Sequence, residues 1–173
     1  MEKNSALETV IIDKLKSRFN QNLTETAETY GMLTLTVKKE AVIEILTFLY
    51  NDPELAFQFL TTLCGVHYPD TTPPVLGVVY HLHSFAHNTR IRVKTFTQDL
   101  EHPTFPTLTG LFSAADWMER ETYDFFGIVF TGHPNLIRIL NAEDITYFPM
   151  RKEFPLEEES REDKNDTMFG RQE

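Results

Sequence analysis

Cysteine is almost absent: the 173 residues hold one, Cys64. A single thiol cannot close an internal disulfide, nor supply the four thiolates that an iron–sulfur cluster ordinarily takes. Glycine is sparse as well, with 7 scattered residues. None falls into G-x-G-x-x-G or G-x-x-x-x-G-K-[ST], so the common dinucleotide and nucleotide fingerprints are missing. Positive charge is in deficit, 16 Lys and Arg against 26 Asp and Glu, for a net charge of −10. Nucleic-acid partners, which need a basic patch to displace counterions, are disfavoured, and so is direct adsorption to an anionic bilayer. No apolar run approaches the roughly 20 residues of a membrane span, so any membrane attachment is expected to go through partners. The start, Met1-Glu2-Lys3-Asn4-Ser5, leads into an amphipathic pattern and lacks the apolar core and cleavage site of a secretory signal. A cytoplasmic location is expected.

What the chain does have is the means to fold: 41% hydrophobic and 12% aromatic residues lie well away from the composition of a disordered chain. The length suits one compact domain, expected over residues 1–156. After Phe154-Pro155-Leu156 a charged run, Glu157-Glu158-Glu159-Ser160-Arg161-Glu162-Asp163-Lys164, has little to bury. Residues 157–173 therefore read as a charged tail that orders on assembly, with Met168-Phe169 as an anchor.

Periodicity supplies the elements. Leu7, Val10, Ile11, Leu15 and Phe19 recur at helical spacing, the mark of an amphipathic helix that needs a sheet to cover. Leu23 to Tyr30 and Met32 to Val37 read as a hairpin turning at Gly31. Val42, Ile45, Leu46 and Leu49 return to helical spacing, and Asn51-Asp52-Pro53 stops that helix. Phe57 to His67 reads as a strand, and Val75 to Phe85 with Arg90 to Phe96 as a hairpin through His87-Asn88-Thr89. The expected class is α+β: a two-layer sandwich of helices on a mixed β-sheet, followed by a further helix, an extended segment and the tail.

Chemistry-bearing residues concentrate between Ser113 and Leu156. Ser113 and Asp116 have capping-box-like spacing, which predicts a helix start, and Gly127 is placed to end the helix in the left-handed conformation. Arg120 has Asp116 four residues before it and Asp124 four after, the spacing of a helical ion-pair ladder. An acid–base pair drawn from Glu119, Glu121 and Asp124 is the catalytic alternative; it needs a cleft and separated pKa values, and a lone helix with interleaved Arg favours an interface. Proline forces an extended conformation on His133. Leu136 to Leu140 reads as extended and buried, so Arg138 within it needs a carboxylate, either Glu121 or Asp124. Upstream, His81, His83 and His87 form H-x-H-x-x-x-H. On a strand the first two share a face that would suit zinc, but no convincing fourth ligand follows, and polar positions on a hairpin's outer face are the simpler reading.

Taken in order, Trp117-Met118-Glu119-Arg120-Glu121-Thr122-Tyr123-Asp124-Phe125-Phe126-Gly127-Ile128, Gly132-His133-Pro134-Asn135-Leu136, Arg138-Ile139-Leu140 and Pro149-Met150-Arg151-Lys152 resemble the signature of the thirty-kilodalton subunit family of respiratory complex I. Phe57 to Tyr68, Val79-Tyr80-His81-Leu82 and Arg90 to Lys94 resemble that family too, so the likeness runs through nearly all of the chain up to Leu156. The sequence departs from the family at Ile137, where a second arginine is frequent, and at Asn135 and near His67, where acids are. These departures bear on individual salt bridges and leave the helix and the Gly132-His133-Pro134 turn untouched. The resemblance implies a non-redox scaffold subunit of the peripheral arm of a proton-translocating NADH:quinone oxidoreductase. It would lie on the cytoplasmic side of the bacterial inner membrane, packed against the quinone-pocket subunit and near the subunit holding the terminal cluster. It implies no cofactor on this chain, with FMN and iron–sulfur clusters on partner subunits, no catalytic residue, and a partner interface built from the motif residues. The corresponding subunit of a membrane-bound hydrogenase or formate-oxidising complex is the alternative. A free-standing enzyme would need a nucleophile and base constellation that the chain lacks.

Overall fold

Alternation of apolar and polar residues sends one row of side chains to each face of a pleated strand, and this pattern builds the sheet at the centre of the molecule. The computed structural model describes residues 2–154. The charged tail 157–173 and Met168-Phe169 lie outside the described residues. In chain order, helix α1 (Glu2–Phe19) is followed by β1 (Leu23–Thr29), β2 (Met32–Val37), helix α2 (Val42–Asn51), β3 (Phe59–Tyr68), β4 (Val75–Ser84), β5 (Thr89–Thr97), β6 (Thr104–Pro106), helix α3 (Ala115–Phe126) and β7 (Val129–Thr131). Strands β1 to β5 form one mixed sheet in the order β1-β2-β5-β4-β3. Its neighbours are antiparallel except β2 and β5, which run parallel. The architecture is α+β, helices on a mixed sheet, with both expected hairpins present. The first turns at Tyr30 and Gly31, both left-handed with φ of 56° and 71°, the two-residue geometry that matches strand twist.

Register decides what each face carries. Leu35, Val93, Tyr80 and Leu63 form one cross-strand row. They are buried with Ile11 and Leu15 of α1, Ile45, Leu46 and Leu49 of α2, and Ala115 of α3. The adjacent row, Thr34, Arg92, His81 and Thr62, points to the other face, which no helix covers among the described residues. Helix α2 stops as expected before Pro53. Asp52 then accepts from Lys14 Nζ at 2.8 Å, tying the end of α2 to α1.

Strands β6 and β7 pair in parallel, Phe105 opposite Phe130, both buried. Three-residue strands are too short to show alternation, and β6 has no counterpart in the sequence reading. The expectation of an extended, buried segment over Leu136 to Leu140 holds only for Leu136, which packs against the core: the segment is irregular, and Ile137 and Leu140 are 52% and 63% exposed. Their apolarity belongs to the surface.

Candidate partner-docking surface

Helix α3 and the irregular segment that follows β7 fold against each other through buried polar groups. The helix ends at Gly127, left-handed at φ 71°, ψ 20°, whose N–H donates to Tyr123 O. Phe148 lies where a side chain on Gly127 would stand, so this glycine serves both the turn and the close approach of the later chain. The expected capping box does not form: Ala114 is the N-cap and no side chain caps the helix. Helical turns already run from Leu108, with Ala115 N–H donating to Phe112 O and Asp116 N–H to Ser113 O. Backbone carbonyls thus take the amides a Ser113 hydroxyl would have served.

Asp124 is the centre of the arrangement. Its side chain is fully buried. Oδ1 accepts from Arg138 Nη1 at 2.9 Å and Asn141 Nδ2 at 3.0 Å. Oδ2 accepts the backbone N–H groups of Ile139, Leu140 and Asn141 at 3.1, 2.8 and 3.0 Å. Burial pushes its pKa up, but the amides of Asn141 and Leu140, the Asn141 side chain and the Ile139 amide outweigh that. The carboxyl is held well below the usual carboxylate range. Of the two carboxylates expected for Arg138, this one is the partner. The Asp116–Arg120–Asp124 ladder does not form. Asp116 turns to His133, Asp124 to Arg138, and Arg120 stacks on the Trp117 ring at 4.7 Å while its Nε donates to Ile137 O. Tertiary partners win because a helical i, i+4 pair contributes only about 0.3–0.5 kcal/mol.

Glu119, on the inward face of α3, is fully buried. It accepts from Thr107 Oγ1 and the Leu108 N–H, each at 2.6 Å, and so fixes the loop after β6. Burial raises its pKa, opposed by those two hydrogen bonds and the nearby His133, while Asp116 raises it further. His133 Nδ1 accepts the Asn135 N–H at 3.0 Å. The ring proton therefore sits on Nε2, which donates to Asp116 O at 3.1 Å. Gly132 before it is left-handed at φ 86°, and Pro134 is exposed on the turn. Glu121 is exposed and borders a hollow of about 190 Å³ with Cys64, Phe125 and Met150. Phe126 leans over Gly65 of β3, where a Cβ would come within 2.5 Å of the ring.

Farther along, Arg151 donates from Nε to Phe126 O at 2.7 Å and from Nη1 to Leu100 O at 2.9 Å. A cation thus sits on the last carbonyls of α3, where the helix dipole favours it. Phe148 lies between Arg138 and Arg151, whose guanidinium carbons are 5.3 and 5.0 Å from its ring centre. Pro149 precedes Met150, whose N–H reaches Phe125 O. Lys152 contributes its backbone N–H, to His67 Nδ1 at 3.0 Å, while its side chain is exposed. The structure thus gathers Glu119, Asp124, Phe126, Gly127, His133, Arg138 and Arg151 into the support of this surface. Trp117, 63% exposed, Arg120, Glu121 and Lys152 stand at its outside. Asn141, Phe148, Thr107 and His67 were missed. An Asn three residues after Arg138 is the one signal that could have drawn attention to Asn141.

Chemically the arrangement is a clamp. Asp124 has both oxygens occupied by five donors and Glu119 is sealed behind Thr107, so neither is presented to a substrate as acid or base. Two of the histidines expected on the hairpin are engaged elsewhere: His81 Nε2 accepts from Arg92 Nε at 2.9 Å and His83 Nδ1 from Arg90 Nε at 3.2 Å. His87 sits exposed in the turn between β4 and β5. Among the described residues no three His, Cys, Asp or Glu side chains gather as metal ligands, and no helix is long and apolar enough to cross a membrane.

Comparison with known proteins gives this surface a context. Residues 35–160 match the family model described as the 30 kDa subunit of respiratory-chain NADH dehydrogenase. The C-type subunit of NADH-quinone oxidoreductase from Roseiflexus sp. is 44% identical over 146 residues, covering 84% of this chain and 83% of the relative. Its counterpart from Citrifermentans bemidjiense is 44% identical over 149 residues, 86% of this chain and 90% of that one. With the counterpart from Sinorhizobium medicae identity reaches 49%, over 73% of this chain and 62% of the relative. The solved trypsin-resistant fragment of Nqo5 superposes with a TM-score of 0.61 at 31% identity, over 73% of this chain and 99% of the fragment. An archaeal membrane-bound sulfane sulfur reductase contains a chain of the same fold, with a TM-score of 0.71 at 24% identity over 86% of this chain and 85% of that one. With most of its length, the helix motif included, inside the family's matched range, this chain belongs to the family of the 30 kDa subunit of respiratory-chain NADH dehydrogenase.

Proposed function

We propose that the chain is a scaffold subunit of a proton-translocating NADH:quinone oxidoreductase, carrying no redox centre itself. In this reading it sits in the peripheral arm on the cytoplasmic side of the bacterial inner membrane. It holds the quinone-pocket subunit and the subunit of the terminal cluster in register, while FMN and iron–sulfur centres on partner subunits carry electrons from NADH to quinone. One observation carries the proposal. The segment after β7 has no regular structure, is pinned from behind by the buried Asp124–Arg138–Asn141 network, and leaves Ile137 and Leu140 exposed, with Arg120 bridging the exposed Trp117 ring and the Ile137 carbonyl. Fixing irregular backbone costs about 1–2 kcal/mol per residue. Here that cost is met inside the subunit, so a partner meets an apolar surface already in its bound shape. Rigid placement is what electron transfer between neighbouring subunits requires of a spacer.

The test is affinity purification of the tagged chain from detergent-solubilised membranes of its own organism, with identification of what co-purifies. Recovery of NADH-binding, cluster-bearing and quinone-pocket subunits with NADH:quinone activity is the expected result. A nickel-bearing large subunit would instead assign the chain to a hydrogenase-type complex, and no partner at all would refute both.

A further inference from the structure

The five-stranded sheet has a second face that neither the core nor the surface above uses. On β5 the residues pointing to it are Arg90, Arg92, Lys94 and Phe96, alternating with the buried Ile91, Val93 and Thr95. The three cations follow one another at about 6.6 Å along the strand, and none is ion-paired among the described residues. Arg90 and Arg92 donate only to uncharged acceptors, the ring nitrogens of His83 and His81 and, for Arg92, Thr34 Oγ1. By register the nearest carboxylate that the sheet itself places on this face is Glu25, opposite Thr36 on the edge strand and two strands from Lys94. From the helices, Glu8 shares a hollow with Arg90 and Glu121 borders Cys64 at the far edge, neither within ion-pair distance of the row. In a chain with a net charge of −10, an unpaired row of three bases is a local imbalance. Their field reaches His81: burial first, then Arg92, Arg90 and Lys94, lowers its proton affinity. A cation is therefore the wrong ligand here.

Aromatic pairs bound the row at both ends. Phe59 and Phe85 meet at 5.3 Å between ring centres beside Arg90, with Phe85 72% exposed. Tyr68 and Phe96 meet at 5.9 Å beyond Lys94. Arginine and aromatic side chains are the types that protein interfaces concentrate.

We propose that this open sheet face is a second docking surface, whose occupant is an acidic, extended segment of a partner subunit lying across Arg90, Arg92 and Lys94. The proposal rests on the chain being part of a larger assembly. The row spans only about 13 Å from Arg90 to Lys94. A nucleic acid or an anionic bilayer would carry its charge past that row onto a surface of the opposite preference, whereas a short acidic segment ends within it. Its carboxylates would remove the repulsion among the three bases and its apolar side chains would cover the aromatic pairs.

Lys94 makes the test specific, because carbodiimide joins a lysine amine to a carboxylate at zero length, with loss of water, and leaves guanidinium groups alone. Applied to the affinity-purified complex, it should yield an amide between Lys94 and an Asp or Glu of another subunit, absent when Lys94→Arg replaces the wild type. Arg90→Glu with Lys94→Glu should lower recovery of that one partner about tenfold at low salt, with a smaller deficit at high salt where the repulsion is screened, and with the circular dichroism of the chain unchanged. Lys94 freely acetylated in a complex that retains all its partners would overturn the proposal while sparing the scaffold reading. So would an amide to the chain's own Glu157–Asp163 run, or protection lost on nuclease treatment or delipidation. A purification that yields no partner would overturn both.

Discussion

Asp124 and Glu119 share one helix and are both buried, yet they respond to pH in opposite directions. Asp124 ionises more readily in the folded chain, so its stabilisation is complete above the unfolded aspartate value of about 3.9 and is lost as pH falls through and below it. Asp124→Asn leaves Arg138 without its charge partner and some of the amides of residues 139–141 without an acceptor. We expect a loss of about 3 kcal/mol near neutral pH, narrowing below about pH 4, where the aspartate of the unfolded wild-type chain takes up its proton while the folded one stays ionised, measured by urea unfolding across the pH range. Glu119 holds its proton more tightly folded than unfolded, so its ionisation costs stability as pH climbs above the ordinary glutamate value of about 4.3. Glu119→Gln keeps an acceptor for the Leu108 N–H and removes the charge. Its stability relative to wild type should therefore rise as pH climbs above the ordinary glutamate value; a flat difference would show that the carboxylate is offset in place.

At the scale of elements, legibility followed length and spacing. Helices α1 and α2 and strands β2 and β5 were readable because each is long enough for its period to repeat, β1, β3 and β4 from their composition between turn signals, and α3 from the signals at its two ends. The left-handed Gly127 was readable because a helix stop beside a glycine has one mechanical solution. What stayed hidden depended on contacts across the chain: the pairing of β6 with β7, the seat of Phe148 between two guanidinium groups, and the exposure of Ile137 and Leu140 within the segment Leu136 to Leu140. That segment looked buried because apolarity alone does not distinguish a core strand from a surface awaiting a partner. Around α3 the local rules were read correctly and then overridden, since the amides after Ser113 and the guanidinium of Arg120 both had better partners than those the spacing offered. Gly127→Ala tests how far helix end and segment are one unit. An alanine at φ 71° is strained and its methyl would stand where Phe148 lies, so a destabilisation above about 1 kcal/mol is expected. Hydrogen exchange at the Met150 N–H, which donates to Phe125 O, should accelerate more than exchange in β4 and β5.

For the whole molecule, the separation of support from surface has a direct consequence for variants. Ile137 and Leu140 are more than half exposed, while the groups that hold them, Asp124, Arg138 and Asn141, face inward. Leu140 lies outside the buried core, and surface substitutions such as Leu140→Asp usually move stability by less than about 0.5 kcal/mol. At a filled interface the same carboxylate would be desolvated without a partner, at a cost of several kcal/mol. We therefore expect Leu140→Asp to fold with the thermal midpoint of the wild type yet fail to co-purify with the subunits that the wild-type chain brings down, while Asp124→Asn loses both folding stability and partners. If Leu140→Asp unfolds the isolated chain, the side chain is structural and the docking surface lies elsewhere. If it folds and still assembles, the apolar side chains of this segment do not meet the partner, and the motif helix acts only within the subunit.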